Sequence, residues 1–156
     1  MSAAKNAHRE IERKFLVREM PTDLTVYPHI EMAQGYLAIA PDGVQVRLRK
    51  AGAEHSLTYK RNDGASRIER EIPLTSEQFD VLWPATEDKR LTKTRYAMPL
   101  GEFTVEIDVY SGRHTGIIVA EVEFENEDAA RAFAVPDWLG EDVSHDPRYS
   151  NQLLAS

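Results

Sequence analysis

The chain has 156 residues, of which 42% are hydrophobic and 29% charged, and its formal net charge is -7. This length is typical of one globular domain, and we expect a single domain over residues 8–156 behind a flexible lead-in at 1–7. The acidic balance argues against general nucleic-acid binding, which requires a surplus of Lys and Arg. The lack of cysteine excludes disulfides and thiolate metal sites.

Targeting signals are missing from the sequence as it stands. No apolar run approaches the roughly 18 residues that a membrane span needs, and the N-terminal residues lack the apolar stretch of a secretory signal. We therefore expect a soluble, cytoplasmic protein that does not bind membranes. The sequence leaves open whether it acts as a monomer or as a homodimer.

Eight segments between residues 8 and 125 have strand character. In chain order they are 8–17, 31–40, 43–50, 55–62, 66–74, 89–98, 102–110 and 116–125. Most are joined by turns rich in Gly, Asp or Asn, which favour antiparallel neighbours. Eight antiparallel strands are enough to close into a barrel, so we predict a mainly β, eight-stranded antiparallel closed β-barrel with a few covering helices.

Two amphipathic helices are predicted beside the strands. Thr75 or Ser76 can cap the first, and the second can start after Asn126. Each helix has an apolar stripe that can cover one side of a sheet. A short third helix can follow Ser150 near the C terminus.

Charged residues recur two positions apart within the strands and therefore share a face. On this face lie Glu10, Glu12, Lys14, Arg47, Arg49, Lys60, Arg67, Glu69, Glu71, Lys93, Arg95, Glu106, Asp108, Glu121 and Glu123. The pattern also fits an ordinary sheet with its charges in solvent. However, like charges two positions apart repel, and solvent-facing strands usually mix signs. The grouping therefore favours a charged face that points inward.

An interior with so many charges is too polar for a dry core and requires a charged ligand and water. Arg and Lys donate to phosphate oxygens, whereas paired carboxylates bind Mg²⁺ or Mn²⁺. A polyphosphate with its metal ions would satisfy both sets.

Ordered motifs extend this interpretation. They are EIERKFLV, QGYL, VRLRK, LTYKR, SRIEREI, KTRY, EIDV and RYSN, and they span roughly residues 8 to 153. In this order they resemble the CYTH superfamily, also called triphosphate tunnel metalloenzymes. The short length, QGYL and KTRY make the chain most similar to the compact bacterial branch of inorganic tripolyphosphatases.

The resemblance implies a charged tunnel in which inorganic tripolyphosphate is hydrolysed to pyrophosphate and phosphate with two Mg²⁺ or Mn²⁺ ions. It implies catalytic roles for Tyr36, Lys14 and Lys93, with Tyr36 as a proton acceptor. The implied substrate-binding residues are Lys14, Arg47, Arg49, Lys60, Arg67, Lys93 and Arg95. The implied metal ligands are Glu10, Glu12, Glu69, Glu71, Asp108, Glu121 and Glu123.

Other functions remain open at this point. A class IV adenylate cyclase would share the tunnel but convert ATP to cyclic AMP and pyrophosphate. A non-catalytic polyphosphate-binding module would bind the same ligand and release nothing. ATP and thiamine triphosphate are further candidate substrates.

Overall fold

Antiparallel strands make up most of the chain. The computed structural model describes residues 5–20, 23–63 and 66–156, with side chains described over residues 11–20, 23–61 and 68–156. The strands are β1 Lys5–Glu10, β2 Glu12–Val17, β3 His29–Ile39, β4 Gln45–Ala51, β5 Glu54–Asp63, β6 Ser66–Leu74, β7 Arg90–Leu100, β8 Phe103–Tyr110, β9 Ile118–Glu123 and β10 Leu139–Asp142. The α-helices are α1 Ser76–Leu82, α2 Glu127–Ala132 and α3 Asn151–Ala155. Short 3₁₀ helices cover Leu24–Val26, Trp83–Thr86, Gly112–His114 and Pro147–Tyr149.

All the strands belong to one sheet that curls back on itself. Their order is β1-β6-β5-β4-β3-β7-β8-β9-β2-β10. β1 and β2 are separated only by Ile11, yet they pair with strands near opposite ends of this order. Two residues span at most about 7 Å, so the two ends of the sheet must approach each other closely. Chain continuity at Ile11 thus brings the ends of the sheet together around a tunnel.

The predicted antiparallel barrel is confirmed in its architecture, with two differences of detail. The first predicted segment, 8–17, is split into β1 and β2, so that its halves pair with β6 and β9. A further short strand, β10, pairs with the free edge of β2. Consequently the described strands form one ten-stranded sheet with a linear order, and its two edge strands are not hydrogen-bonded to each other. β1 begins at Lys5, inside the expected lead-in at 1–7.

The helices begin where their capping residues predict. Thr75 caps α1: its side chain accepts from the backbone N–H of Gln78, and the Gln78 side chain accepts from the backbone N–H of Thr75. Asn126 caps α2, and Ser150 caps α3. None of the helices in the described part of the chain has the length and apolar character that a membrane crossing requires.

The main core lies on the outer face of the sheet. Val105, Ile107 and Val122 are fully buried there and pack with Phe133, which directly follows α2. The three phenylalanines Phe103, Phe124 and Phe133 stack edge-to-face, with ring centroids 5.4 Å apart. An amphipathic helix therefore covers the outward apolar face, as the sequence predicted.

The inner face of the tunnel changes character along its axis. On β2 the inward positions run from Glu12 through Lys14 to Leu16, and on β9 they run from Glu123 through Glu121 to Val119. Helix α3 packs against the apolar end of this surface. There Leu154 and Ala155 are buried with Tyr36, Leu91, Tyr110 and Val119. The sequence predicted a charged interior, and the structure shows in addition that one end of it is an apolar core capped by α3.

We predict that Ile107→Ala lowers the free energy of unfolding by about 2–5 kcal/mol, because Ile107 is fully buried and truncation leaves a cavity. Urea denaturation of the folded variant measures this loss. Val81 on α1 is 80% exposed, so Val81→Ala should change stability by less than about 0.5 kcal/mol. Equal effects of the two changes would contradict the placement of the core.

Candidate active site

The register of the sheet gathers the charged side chains on its inner face. Directly opposite residues of antiparallel strands point to the same side. Glu121 lies opposite Lys14 on one side and opposite Glu106 on the other, and Arg95 lies opposite Asp108. Residues that are charged at alternate positions in sequence thus become one continuous charged surface.

This surface surrounds a cavity of about 370 Å³. Its basic lining residues are Lys14, Arg47, Arg49, Lys60 and Arg95, and its acidic lining residues are Glu12, Glu69, Glu106, Glu121 and Glu123. Tyr36, Gln45 and residues of the C-terminal segment 147–153 complete the wall. A cavity with both signs of charge in its wall suits a small polyanion together with cations.

Two neighbouring arginines on β4 have no acidic side chain within ion-pair distance among the described residues. Arg47 is 3% exposed, and its Nη2 lies 3.5 Å from the hydroxyl of Thr58. The Nε of Arg49 donates to the side-chain oxygen of Gln34 at 3.0 Å. Burial, together with the positive charges of Arg47 and Arg95, lowers the pKa of Arg49 to about 9. Glu71 and Asp108 attract Arg49 from beyond ion-pair distance, but the repulsion between the neighbouring arginines and their burial outweigh this attraction, and an anionic ligand would relieve that repulsion.

Arg95, by contrast, is fully paired. Its Nε and Nη2 donate to the two carboxylate oxygens of Asp108 at 2.7 and 2.9 Å, and its Nη1 lies 3.0 Å from Glu106. The Nζ of Lys93 donates to the same Asp108 carboxylate at 2.7 Å. The side chains of Lys93 and Asp108 are completely buried. Asp108 therefore joins two cations behind the cavity wall.

The pKa values of this network follow from burial and from its neighbours. Burial lowers the pKa of Lys93, and the Asp108 carboxylate opposes this shift. Burial alone would raise the pKa of Asp108, but Lys93 and Arg95 bring it below its ordinary value. Both carboxylate oxygens of Asp108 accept hydrogen bonds from Lys93 and Arg95, so the group is ionised and its oxygens are already engaged within the protein.

Carboxylates face each other on the other side of the cavity. Glu12 lies opposite Glu123, and Glu106 lies opposite Glu121. Burial opposes the ionisation of Glu121, but Lys14, Arg95 and Lys93 lower its pKa well below the ordinary range. Lys14 lies 3.5 Å from Glu121. Like charges directly across strands are destabilising unless a cation lies between them.

These four carboxylates fit a divalent metal ion by the chemistry of their oxygen donors, which Mg²⁺ and Mn²⁺ prefer. Within the part of the chain whose side chains are described, no three acidic or histidine side chains converge closely enough to form a metal cluster. The carboxylates therefore offer suitable donors as two cross-strand pairs and do not form a single converged cluster.

Tyr36 and the C-terminal segment form the inner end of the cavity. Tyr36 is 2% exposed and lies opposite Arg47. Tyr110 donates its hydroxyl to the side-chain oxygen of Asn151, and Lys14 donates to the backbone carbonyl of Tyr149 at 3.0 Å. Burial and the nearby carboxylates raise the pKa of Tyr110, so this hydroxyl keeps its proton. The segment before and within α3 is therefore fixed to the tunnel wall by its own polar groups.

The structure brings most of the sequence-predicted residues to the cavity but not all. Those that line it are Glu12, Lys14, Tyr36, Arg47, Arg49, Lys60, Glu69, Arg95, Glu121 and Glu123. Lys93 and Asp108 lie behind the wall, and Glu71 lies opposite Thr58 on β6 without lining the cavity. The side chains of Glu10 and Arg67 lie outside the described residues.

Several wall residues were not singled out from the sequence. Glu106 shares the charged face but was not assigned as a ligand, and Gln45 and Gln152, which hydrogen-bond to each other, are uncharged. Neutral amides leave no trace in a charge pattern. The signal for Glu106 was present, because it is two residues before Asp108.

An antiparallel tunnel with cations and carboxylates along one cavity defines a class of protein that binds a compact polyanion together with cations. Comparison with known proteins gives the family. Residues 8–150 match the CYTH domain. An inorganic triphosphatase of Nitrosomonas europaea is 46% identical over 149 residues, covering 94% of this chain and 96% of that protein.

Two further comparisons also match inorganic triphosphatases. An inorganic triphosphatase of Acetivibrio thermocellus is 34% identical, covering 94% of this chain and 92% of that protein. The crystal structure of an inorganic triphosphatase superposes with a TM-score of 0.72 at 43% identity, covering 94% of this chain and 93% of the other. The chain belongs to the CYTH domain family.

We predict opposite stability effects for two charge removals in the cavity wall. Asp108→Asn leaves Lys93 and Arg95 without their shared carboxylate and should lower the free energy of unfolding by about 3–5 kcal/mol. Arg49→Ala should lower it little or not at all, because Arg49 makes no ion pair among the described residues and the repulsion of Arg47 and Arg95 opposes the weaker attraction of Glu71 and Asp108. Guanidinium denaturation without phosphate measures both. A comparable loss in the two variants would contradict the assigned pairing.

Proposed function

We propose that this chain is a metal-dependent inorganic triphosphatase that hydrolyses tripolyphosphate to pyrophosphate and phosphate. The observation that carries the proposal is the pair Arg47 and Arg49, two buried or half-buried cations in the cavity wall without a carboxylate partner among the described residues. An anion of high charge density would compensate them. Relatives named inorganic triphosphatases support the same reaction.

In this proposal Arg47, Arg49 and Lys60 bind the phosphate chain directly from β4 and β5. Lys14 binds it from the opposite wall, where its ammonium group is already oriented by Glu121 and by the carbonyl of Tyr149. Positively charged donors on both sides would align the chain and neutralise charge that develops on its oxygens, which is where most of the acceleration of phosphoryl transfer arises.

Arg95 and Lys93 have different roles in the proposal. Arg95 lines the cavity, and Asp108 fixes its orientation through two hydrogen bonds. Lys93 does not reach the cavity wall and would act through Asp108, whose negative charge it balances. Arg67 is retained as a substrate-binding candidate whose side chain lies outside the described residues.

The proposed metal ligands are Glu12, Glu69, Glu121 and Glu123 in the cavity wall, and we add Glu106 to the proposal because it lines the same cavity. Glu10, Glu71 and Asp108 complete the set expected from the resemblance. Mg²⁺ or Mn²⁺ is proposed, with two ions for each site. Bound there, such ions would shield the phosphate oxygens and lower the pKa of an attacking water.

The proposed reaction transfers the terminal phosphoryl group to water. The water oxygen bonds to the terminal phosphorus while the bond to the bridging oxygen breaks, and pyrophosphate leaves. Tyr36, which lines the cavity opposite Arg47, is proposed to accept the proton of the water. The apolar residues behind Tyr36 and the cap formed by α3 keep bulk water away from this end of the cavity.

The proposal predicts that tripolyphosphate is hydrolysed at least about ten times more efficiently than ATP, a discrimination of roughly 1.4 kcal/mol in kcat/KM. The wall contains charged groups for phosphates, whereas its neutral part is already occupied by contacts between Gln45 and Gln152. A phosphate-release assay with tripolyphosphate, ATP, thiamine triphosphate and pyrophosphate measures the ranking. Equal or better turnover of ATP would overturn it, and cyclic AMP among the products would favour a cyclase.

The proposal also predicts that chelation abolishes the activity while the fold survives. The core on the outer face of the sheet does not involve the carboxylates of the cavity, so metal removal should leave the far-ultraviolet circular dichroism unchanged. Added Mg²⁺ or Mn²⁺ should restore phosphate release. Undiminished activity after exhaustive chelation would contradict the metal sites.

A further inference from the structure

Gln34 is a completely buried amide on the inner face of β3. It lies opposite Arg49 on β4 and opposite Leu91 on β7. Its side-chain oxygen accepts a hydrogen bond from the Nε of Arg49 at 3.0 Å. Gln34 does not itself line the cavity, whereas Arg49 does.

We infer that Gln34 is a positioning residue that orients the guanidinium group of Arg49 for a phosphate of the substrate. The inference rests on the proposed function, because it assigns Arg49 to the polyphosphate. Its physical basis is the geometry of the guanidinium group and the neutrality of its partner.

The hydrogen bond uses only one of the five N–H donors of Arg49. A guanidinium group held at Nε keeps its two terminal nitrogens available, and their edge can donate to two oxygens of one phosphate. Among the described residues, Gln34 is the sole hydrogen-bond partner of the Arg49 side chain. Arg95 differs, since Asp108 and Glu106 occupy all three of its nitrogens.

The neutrality of Gln34 suits this role better than a carboxylate would. Arg49 lies near Arg47 and Arg95, and their repulsion together with burial disfavours its charged form. A glutamate at position 34 would hold Arg49 more strongly but would also cancel the charge that attracts a phosphate. An amide fixes the direction of the side chain and leaves its charge intact.

Folding stability does not account for Gln34. Its Nε2 is buried and has no hydrogen-bond partner among the described residues. A buried donor without a partner is costly, and an apolar side chain of similar shape would avoid that cost. The amide therefore has to be explained by what it does to Arg49.

The test is a double-mutant cycle with Q34L, R49A and Q34L/R49A. For each variant, kcat and KM for tripolyphosphate are measured with Mg²⁺, and calorimetry measures tripolyphosphate binding without divalent metal. We expect Q34L to weaken metal-free binding and to lower kcat/KM, each roughly tenfold, with no loss of thermal stability. In the R49A background Q34L should have no further effect on either quantity, because Gln34 acts only through Arg49.

Two more variants separate orientation from charge and from general polarity. Q34E preserves the acceptor but adds a negative charge, and it should also weaken metal-free binding at least tenfold. Thr86→Val is the matched control, because Thr86 is a buried neutral acceptor for the Nε of Arg90 at 2.9 Å, away from the cavity. It should leave kcat/KM per folded molecule unchanged.

Two outcomes of the double-mutant cycle would overturn the inference. Wild-type binding by Q34L would mean that Arg49 needs no orientation, and an undiminished Q34L effect in the R49A background would mean that Gln34 acts on something else. Should Q34L not fold, Q34M, which keeps the side-chain length, replaces it in the cycle. If the wild type binds tripolyphosphate but does not hydrolyse it, the proposed reaction fails while the binding cycle still decides the role of Gln34. If it does not bind tripolyphosphate, both fail.

Discussion

The burial of Asp108 between Lys93 and Arg95 is the constraint on which the tunnel wall depends. Burying the Lys93 ammonium group or the Asp108 carboxylate alone would be very costly, but the two groups and Arg95 satisfy one another's hydrogen bonds. Such a network contributes little net stability compared with apolar packing. The network fixes Arg95 at the surface of the cavity, while Lys93 and Asp108 remain buried behind it.

The fold tolerates so many charged side chains in the cavity wall because its main apolar core lies on the outer face of the sheet. Val105 and Ile107 alternate along β8 with Glu106 and Asp108, and the apolar pair packs outward with Phe133. The strand therefore stabilises the fold with one face and forms the cavity with the other. This division explains why a chain of 156 residues can place so many charges inside a sheet, because the main apolar core lies on the opposite face.

The alternation of charge predicted which side chains share the inner face, because direction in a strand is a local property with a period of two. The position of a side chain along the tunnel axis is not a local property, because it depends on the register with the neighbouring strand. Lys93 and Arg95 carry the same pattern, yet only Arg95 reaches the cavity, since the register with β8 sets Lys93 opposite the buried Tyr110. β10 was missed for a similar reason. Leu139–Asp142 has no alternation of polar and apolar residues, and its pairing with β2 depends on contacts between distant parts of the chain.

The change from charged to apolar residues along the inner face gives the cavity a direction. A phosphate chain that enters the charged half meets Arg47, Arg49 and Lys60, but beyond Tyr36 it would meet Leu154 and its apolar neighbours. Phosphate oxygens placed there would lose water without gaining donors, which is strongly unfavourable. The cap formed by α3 thus does more than cover a core, because it would confine a polyanion to the charged part of the tunnel, where cations can compensate it.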